Sequence, residues 1–300
     1  MEKISYSNMK KNLLGYFLIA PAVLGILLMT IYPLISGVLM SFQEKNMVKS
    51  GAGVIGDFVG FTNYIALFKD EVFLLSLKNT AVWTISNLVL QMLLGVITAL
   101  LLNQKLKVRL LYRVSVLIPW IVPSVVAALN WRWMYDSKNG IINILLIKAG
   151  VITNGITWLG ETSSAMPAVI IESVWKGMPF VMLMVLAGLQ TIPLDMYEAA
   201  HIDGANRFQI LTKITIPFIK DSILIAGILT TIYTINNFNA IWLMTAGGPL
   251  DSTEILFTYA YKKAFLQYDF GSSAAISTII FIIIVLLTTI YTRLLKKGGK

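Results

Sequence analysis

Amide, hydroxyl and aromatic side chains cluster in one strongly apolar part of the chain, between Thr230 and Asn239. The cluster consists of Thr230, Tyr233, Thr234, Asn236, Asn237 and Asn239. Unpaired polar groups are costly in a hydrocarbon environment, so these side chains need partners at membrane depth. A bound ligand with hydroxyl groups and apolar faces would provide them, because hydroxyls exchange hydrogen bonds and apolar faces pack on aromatic rings. Hydrogen bonds between neighbouring helices are the alternative explanation.

A second apolar segment carries Glu172 and Lys176, the only ionisable residues well inside a hydrophobic run. Residues four apart lie on one face of a helix, so this carboxylate and this ammonium group can neutralise each other. A role in ligand binding is the alternative, and Lys176 would then attract an acidic ligand. The sequence leaves both interpretations open.

The segment YEAAHIDGANRFQILTKITIP, residues 197–217, joins two apolar segments and is itself unusually polar. We predict a short helix over 196–202 with Asp195 as its N-cap, and a second helix from about Asn206. Asp203-Gly204 separates them, since glycine readily adopts the left-handed conformation that ends a helix.

This polar segment combines small, apolar and charged side chains. They are Ala199 and Ala200; Ile202, Phe208 and Ile210; and Glu198, Asp203 and Arg207. The two alanines would form a small surface that another backbone could approach. An exposed apolar surface with a charged rim usually marks a contact site for a partner. A helix that lies on the lipid surface is the alternative.

The composition predicts the elements that hold these residues. The chain has 300 residues, of which 57% are hydrophobic and 13% charged, whereas a soluble domain carries roughly 25% charged residues. Several apolar runs exceed the ~20 residues that cross a bilayer core of ~30 Å. The sequence therefore predicts an all-α, polytopic membrane protein with six transmembrane helices in a single domain, residues 1–300. The spans are placed at about 13–42, 77–102, 110–131, 166–190, 222–245 and 272–295, with a loop at 193–219.

Lysine and arginine are distributed unevenly among the loops. With the N-terminus inside, one face of the membrane holds 14 basic and five acidic residues; the other 10 basic residues are balanced by 10 acidic ones. The 14 are Lys3, Lys10, Lys11, Lys105, Lys107, Arg109, Arg113, Arg207, Lys213, Lys220, Arg293, Lys296, Lys297 and Lys300. Cytoplasmic loops are enriched in basic residues. Both termini and the 193–219 loop are therefore predicted to be cytoplasmic, and the net charge of +9 does not indicate a nucleic-acid partner.

Several kinds of site are disfavoured by what the sequence lacks. It has no cysteine, its one histidine lies in the polar loop, and acidic residues are few, so a thiolate or His-rich metal centre is not expected. No G-x-x-x-x-G-K-[ST] phosphate loop is present. We expect no cofactor in this chain and no enzymatic activity of its own. Trp120, Trp131 and Trp133 are interpreted as anchors at the membrane interface.

The polar loop resembles the EAA loop of binding-protein-dependent ABC importer permeases. Its matching positions are Glu198, Ala199, Ala200, Asp203, Gly204, Ala205, Ile214 and Pro217. Further matches follow in order: LKNT at 77–80, LYRVSVLIPWIVPSVV at 111–126, WKGMPFVMLMVLAGLQTIP at 175–193, NNFNAIWLMTAGGP at 236–249 and TYAYKKAFLQYDFGSSAA at 258–275. The resemblance covers most of the chain and narrows to carbohydrate-uptake permeases of the maltose-transporter type.

This resemblance implies the type I ABC importer permease fold and two sets of functional residues. The loop would be the coupling helix that sits in a groove of an ATP-hydrolysing subunit, through Glu198, Ala199, Ala200, Asp203, Gly204, Ala205 and Arg207. The sugar-binding positions would be Ser124, Ser173, Lys176, Gly177, Phe180, Thr230, Thr234 and Asn237. Ser173 and Thr234 replace amides of the family, and Phe180 replaces a tyrosine, so the identity of the sugar does not follow.

The resemblance also implies partners and a location. They are a second, homologous permease, two ATPase subunits that bind ATP and magnesium, and an extracytoplasmic solute-binding protein, in the cell (inner) membrane of a bacterium or archaeon. A permease of the same class for another solute, such as an amino acid or phosphate, is one alternative. An ion-coupled secondary transporter is another, although it would favour a buried acidic residue without a basic neighbour.

Overall fold

The structure is a computed structural model that describes residues 6–46, 56–104 and 107–298. Lys3, Lys105 and Lys300 of the predicted basic set lie outside these residues, as do positions 47–55 of the loop that follows the first span. Most of the described chain is helical, which confirms the all-α prediction. The strands of the described residues form a short antiparallel ribbon of β1, Gln43–Glu44, and β2, Asp57–Phe58.

The helices follow one another in this order: α1 Tyr6–Ile26, α2 Tyr32–Met40, α3 Thr62–Leu67, α4 Glu71–Leu102, α5 Arg109–Ile121, α6 Ser124–Met134, α7 Ile141–Lys148, α8 Thr162–Leu189, α9 Leu194–Ile202, α10 Arg207–Ile210, α11 Ile216–Ile235, α12 Phe238–Met244, α13 Leu256–Tyr261 and α14 Phe270–Gly298. Three π-helical turns join this series: Leu27–Ile31 between α1 and α2, Leu211–Thr215 between α10 and α11, and Lys262–Leu266 after α13.

Five continuous helical stretches of the described chain are long and apolar enough to cross a membrane. They are Gly15–Met40, Glu71–Leu102, Thr162–Leu189, Arg207–Met244 and Phe270–Leu295. The bent pair of α5 and α6 makes a sixth span if the two helices are taken together. This is a multi-pass membrane protein.

The third predicted span, 110–131, is not one straight helix. α5 ends at Ile121, α6 begins at Ser124, and the two axes differ by 94°. Pro123 causes the break, because proline lacks a backbone N–H and disfavours a helical conformation in the residue before it. The fifth predicted span, 222–245, is also interrupted, since α11 ends at Ile235 and α12 starts at Phe238.

α4 and α8 form the centre of the bundle and pack along most of their length. Gly95 of α4 lies so close to α8 that a Cβ atom there would come within 2.6 Å of Val181. Lipid tails are as apolar as leucine, so membrane helices associate through close packing at small residues and not through the hydrophobic effect. Trp83 and Met182 are fully buried in this interface region.

Asp70 fixes the start of α4, at the end of the bundle opposite the 193–219 loop. Its side chain caps the helix by accepting from the N–H groups of Val72 (2.9 Å) and Phe73 (3.3 Å). The same carboxylate accepts a hydrogen bond from Tyr259 and lies 3.5 Å from the ammonium of Lys263. This cap explains why the helix begins at Glu71, six residues before the predicted start at 77.

The charge of Asp70 is favoured by these contacts. Partial burial alone would raise the pKa of Asp70, but the hydrogen bonds from Tyr259 and the helix N–H groups, together with Lys263, lower it below the ordinary value of 3.8. A lowered carboxyl pKa adds stability above the pKa of the unfolded chain, and that stability is lost as the pH falls through the folded value.

We expect Asp70→Ala to destabilise the chain by about 1–2 kcal/mol, because the N-cap is lost. Asp70→Asn should lose less, since asparagine caps as well as aspartate but does not attract Lys263. Thermal unfolding of the detergent-solubilised protein measures both. The difference between the parent chain and Asp70→Asn should shrink below about pH 4, the ordinary carboxyl pKa. A difference that stays constant down to pH 3 would show that the charge of Asp70 contributes nothing.

Candidate functional site

A cavity of about 370 Å³ lies where the two interrupted spans meet α8. All eight positions expected to bind a sugar are on its wall: Ser124, Ser173, Lys176, Gly177, Phe180, Thr230, Thr234 and Asn237. Six further residues complete the lining: Gln91, Trp120, Tyr233, Asn236, Phe238 and Asn239. We call this space the central cavity.

The two helix breaks create the central cavity and supply part of its polar surface. Irregular backbone at membrane depth is tolerated only where it is buried in protein or lines a cavity, because lipid cannot pair its N–H and C=O groups. The first break, at Val122-Pro123, leads directly to Ser124. The second, at Asn236-Asn237, places two amide side chains beside the same space.

Lys176, on the neighbouring helix α8, pairs with a backbone carbonyl that the first break leaves without a helical partner. Its ammonium donates a 2.5 Å hydrogen bond to the carbonyl oxygen of Val122, the residue that ends α5. The hydrogen bond of Lys176 therefore goes to Val122 and not to Glu172, the partner that helical spacing suggested. Glu172 is 1% exposed, and its Oε2 atom has no hydrogen-bond partner among the described residues.

Asn237 lies at the second break and caps the helix that follows it. Its Oδ1 atom accepts a hydrogen bond from the N–H of Ala240 (3.4 Å) and thus caps α12. Its Nδ2 group donates to no acceptor in the described part of the chain. Thr230 provides a second unused group, because its hydroxyl is buried and without a partner there. The Nδ2 group of Asn237 is therefore free to bond to a molecule in the central cavity, whereas the Thr230 hydroxyl is covered by protein.

Gly177 has a packing role at this wall. A Cβ atom at this position would overlap the amide of Gln91. That amide donates to Asn87 Oδ1 (3.0 Å) and to the carbonyl of Ser173 (3.3 Å). The glycine therefore lets a buried amide from α4 reach the wall that α8 contributes.

Aromatic rings form the remaining side of the central cavity. Phe180 lies between Trp120 and Tyr233, with ring centres 6.2 Å and 5.8 Å away. The structure thus places Trp120 on the cavity wall. Trp131 packs against Trp175, and only Trp133, which is 76% exposed, has the position expected of an interfacial anchor.

The lining of the central cavity contains one basic side chain and no carboxylate. Lys176 is its only Lys or Arg, and none of its fourteen residues is acidic. The other polar members are amides and hydroxyls, which both donate and accept hydrogen bonds. The cavity can therefore bind a molecule rich in hydroxyl groups, with apolar faces against Phe180 and Trp120.

The second predicted site, the 193–219 loop, has the two-helix form expected of it. α9 ends in a turn where Gly204 has a φ of +72°. Gly204 N–H donates to His201 (3.1 Å) and Ala205 N–H to Ala200 (2.9 Å), the hydrogen-bond pattern of a glycine-terminated helix. Asn206 then begins α10 through reciprocal hydrogen bonds with Gln209.

Three details of that loop differ from the prediction. α9 starts at Leu194 after Pro193, so Asp195 lies in its first turn and is not the N-cap. Ala200 and Ile210 are buried, because they face the bundle, and neither belongs to the outer surface of the loop. The outer surface carries Glu198, Ala199, Asp203, Gly204 and Arg207, while Ala205 is half-buried. Its largest apolar side chains are Leu194, Ile202 and Phe208, which are 74%, 86% and 73% exposed.

The fold and these two sites define a class of protein: a multi-pass membrane transport component with a central cavity and an exposed two-helix loop. The chain belongs to the family described as binding-protein-dependent transport system inner membrane component, whose pattern matches residues 91–298. This confirms the family resemblance, and it confirms that the chain is a transport subunit and not an enzyme.

Relatives named as sugar permeases match nearly the whole chain. The trehalose/maltose transport system permease protein MalF of Thermococcus litoralis is 35% identical over 292 residues, 97% of this chain and 95% of its own. The sulfoquinovosyl glycerol transport system permease protein SmoG of Agrobacterium fabrum is 34% identical over 285 residues, 95% and 91% of the two chains.

The fold is shared with a solved transporter. A chain of a bacterial alginate ABC transporter, crystallised with an alginate pentasaccharide-bound periplasmic protein, superimposes with a TM-score of 0.84. The superposition covers 99% of both chains at 21% identity. The chain therefore has the type I importer permease fold.

Sequence reasoning missed Gln91 as part of the cavity wall. The signal was a stripe of small and polar residues in the second span, Thr80, Thr84, Gln91 and Gly95, at multiples of about four. Such spacing places side chains on one helix face. All four are buried, so this face is turned toward the rest of the bundle.

We expect Asn237→Leu and Asn237→Ser to differ in a diagnostic way. Leucine removes both the helix cap and the free amide donor, so stability and transport should both fall. Serine is a comparably good N-cap but lacks the amide, so it should lower apparent affinity about tenfold or more at nearly unchanged stability. Uptake and melting temperature on the same preparation measure this. Normal uptake by Asn237→Ser would exclude contact between the amide and the cargo.

We expect Lys176→Met to destabilise the chain by about 1–3 kcal/mol, because the buried carbonyl of Val122 loses its partner. Lys176→Arg keeps a donor and serves as the matched control. Thermal unfolding of both variants checks the prediction. Equal stability of the two variants would show that the hydrogen bond to Val122 does not hold the bend.

Proposed function

We propose that this chain is the permease subunit of an ABC importer for a sugar and forms half of its translocation pathway. The observation that carries the proposal is the central cavity, where amides, hydroxyls and aromatic rings surround one space at two helix breaks. The names of two relatives, a trehalose/maltose and a sulfoquinovosyl glycerol permease, support a sugar or sugar derivative as the cargo.

The proposed complex contains a second, homologous permease and two ATPase subunits that bind ATP and magnesium. Among residues 6–46, 56–104 and 107–298, no group of His, Cys, Asp or Glu could hold a metal ion. An extracytoplasmic solute-binding protein delivers the sugar to the loops around 43–72, 136–165 and 246–271. The periplasmic protein crystallised with the alginate transporter supports such a partner. No nucleic acid takes part.

The proposed location is the cell (inner) membrane of a bacterium or archaeon, with both termini and the 193–219 loop in the cytoplasm. The excess of Lys and Arg on that face supports this orientation. The loop then meets the ATPase subunit through Glu198, Ala199, Asp203, Gly204 and Arg207, and through the exposed apolar side chains of Ile202 and Phe208. Ala200 and Ala205 shape the loop from its inner side.

Coupling follows from the connections of this loop. α8 carries cavity residues and continues into α9, while α11 starts just after the loop and ends at the second helix break. ATP binding closes the ATPase dimer and moves the loop, which tilts both helices and opens the central cavity to the outside. The binding protein then releases its sugar, and ATP hydrolysis restores the inward-facing state.

An uptake assay distinguishes this proposal from two alternatives. They are an ABC permease for an amino acid or phosphate, and an ion-coupled secondary transporter. Proteoliposomes that contain the complex and binding protein should take up trehalose, maltose, diacetylchitobiose, sulfoquinovosyl glycerol or an alginate oligosaccharide. Uptake should require ATP and the binding protein. Uptake of histidine or phosphate alone would establish the first alternative, and uptake driven by a proton or sodium gradient without ATP the second.

We expect Gly204→Asp to abolish binding-protein-stimulated ATPase activity. The substitution strains a left-handed position and adds a carboxylate that must be desolvated when the ATPase subunit docks. Gly150→Asp is the matched control for stability alone, because Gly150 also ends a helix, has a φ of +70° and has open space around it. Both variants should lose about 1 kcal/mol of stability. Normal stimulation of ATPase activity in Gly204→Asp would contradict the assignment of the loop.

A further inference from the structure

A second cavity, of about 350 Å³, adjoins the central cavity on the side of α14. It lies between α14 and the segment that contains α13 and the π-helical turn after it. Six of its lining residues carry the argument: Asn236, Phe257, Tyr261, Phe265, Ser277 and Phe281. We call this space the aromatic groove.

The two spaces adjoin at Asn236, which lines both of them. Phe238 lines the central cavity, and its ring centre lies 4.9 Å from that of Tyr261 and 6.1 Å from that of Phe257, both in the aromatic groove. The ring series continues outward, with Phe265 4.9 Å from Tyr261. A molecule in the central cavity therefore has the aromatic groove as its immediate neighbour.

The aromatic groove offers both kinds of contact that a sugar needs. Phe265 and Phe281 are 57% and 43% exposed, so their ring faces are open. Asn236 donates its amide N–H to Ile232 (2.9 Å), which leaves Oδ1 without a partner in the described chain. The hydroxyl of Ser277 forms no hydrogen bond with the described residues either. The same surface thus carries aromatic rings that can pack on the C–H faces of a sugar and polar atoms that can bond to its hydroxyl groups.

An acyl chain fits this surface less well than a sugar does. Asn236 Oδ1 and the Ser277 hydroxyl would face hydrocarbon without hydrogen bonds, and such burial costs a few kcal/mol per group. A sugar satisfies these atoms and covers the rings at the same time.

We propose that the aromatic groove is a second sugar subsite, so that the cargo is an oligosaccharide that extends from the central cavity across Asn236. The inference rests on the proposed function and adds a size class to it. The two spaces have similar volumes, about 350 and 370 Å³, each near the lower end of the roughly 300–1,000 Å³ of small-molecule sites. Along α14 the groove runs from Ser273 to Ile284, a rise of about 16 Å at 1.5 Å per residue.

Cysteine labelling tests whether the groove is part of an aqueous path. The chain has no cysteine, so Ser277→Cys introduces a single thiol whose modification is read from the mass of this chain. We expect a membrane-impermeant, charged methanethiosulfonate reagent to modify it in the assembled complex. Ile282→Cys, on the same helix, exposed but outside the groove, is the control and should react at least tenfold more slowly.

The imported sugar should protect the thiol. With maltotriose, or the trisaccharide homologue of whichever sugar of the panel is taken up, modification of Ser277→Cys should slow several-fold. If the thiol does not react although the variant transports normally, lipid or another chain covers the groove and the inference is wrong. If the thiol reacts but no imported sugar slows it, the groove holds water only and the inference is also wrong. In both cases the proposed function stands.

The length of the sugar gives an independent measurement. Phe265→Leu removes a ring face at the outer part of the groove. It should lower the apparent affinity for maltotriose or maltotetraose about 2- to 10-fold and leave that for maltose nearly unchanged. An equal effect on all three sugars would show that the groove does not bind the added units.

Discussion

Every backbone N–H and C=O group at membrane depth must find a partner within the protein, and the central cavity depends on how this chain meets that requirement. Two spans stop being helical beside the same cavity, at Val122-Pro123 and Asn236-Asn237. Lys176 pairs with the carbonyl that the first break exposes, and Asn237 caps the helix that follows the second. The polar cavity exists because protein side chains, not lipid, complete these hydrogen bonds.

This arrangement connects two walls of the cavity with the 193–219 loop. α8 holds Lys176 and ends at Leu189, just before the loop; α11 begins in the last residues of the loop and ends beside Asn236. The two helices touch near the loop, where a Cβ atom on Gly188 would meet Ser222. Closely packed helices shift as units and do not deform continuously. In the proposed coupling mechanism, a displacement of the loop therefore moves two walls of the cavity together.

The sequence specified most of the fold because the dominant signal, the apolar run, is local. The predicted spans at 166–190 and 272–295 correspond to Thr162–Leu189 and Phe270–Leu295. The 94° bend between α5 and α6 was not predicted, since Pro123 reveals a break but not its angle. The bond from Lys176 to Val122 joins positions 54 apart in sequence. The helical spacing of Lys176 and Glu172 suggested a local pair, and it could not reveal that the Lys176 ammonium also donates to the carbonyl of a distant helix.

The candidate sites differ in how they could be recognised. The turn at Asp203-Gly204 is readable directly, because only glycine adopts a left-handed conformation without cost. The eight cavity positions came from family resemblance, and no periodicity links Ser124 to Asn237. The sequence also could not show which apolar residues of the loop are buried. Ala200 and Ile210 are buried, whereas Ile202 and Phe208 are exposed. All four are apolar, and the difference arises only from how the loop packs on the bundle.

Lys176 also limits what this cavity can discriminate. An ammonium group has three N–H donors, and the bond to Val122 uses one of them. The remaining two can meet the hydroxyls of a neutral sugar or the anionic group of an acidic one. No acidic side chain in the lining opposes a negative charge. In the proposed transporter the cavity would therefore accept both kinds of cargo, and the choice between neutral and acidic sugars would fall to another proposed component, either the second permease or the binding protein.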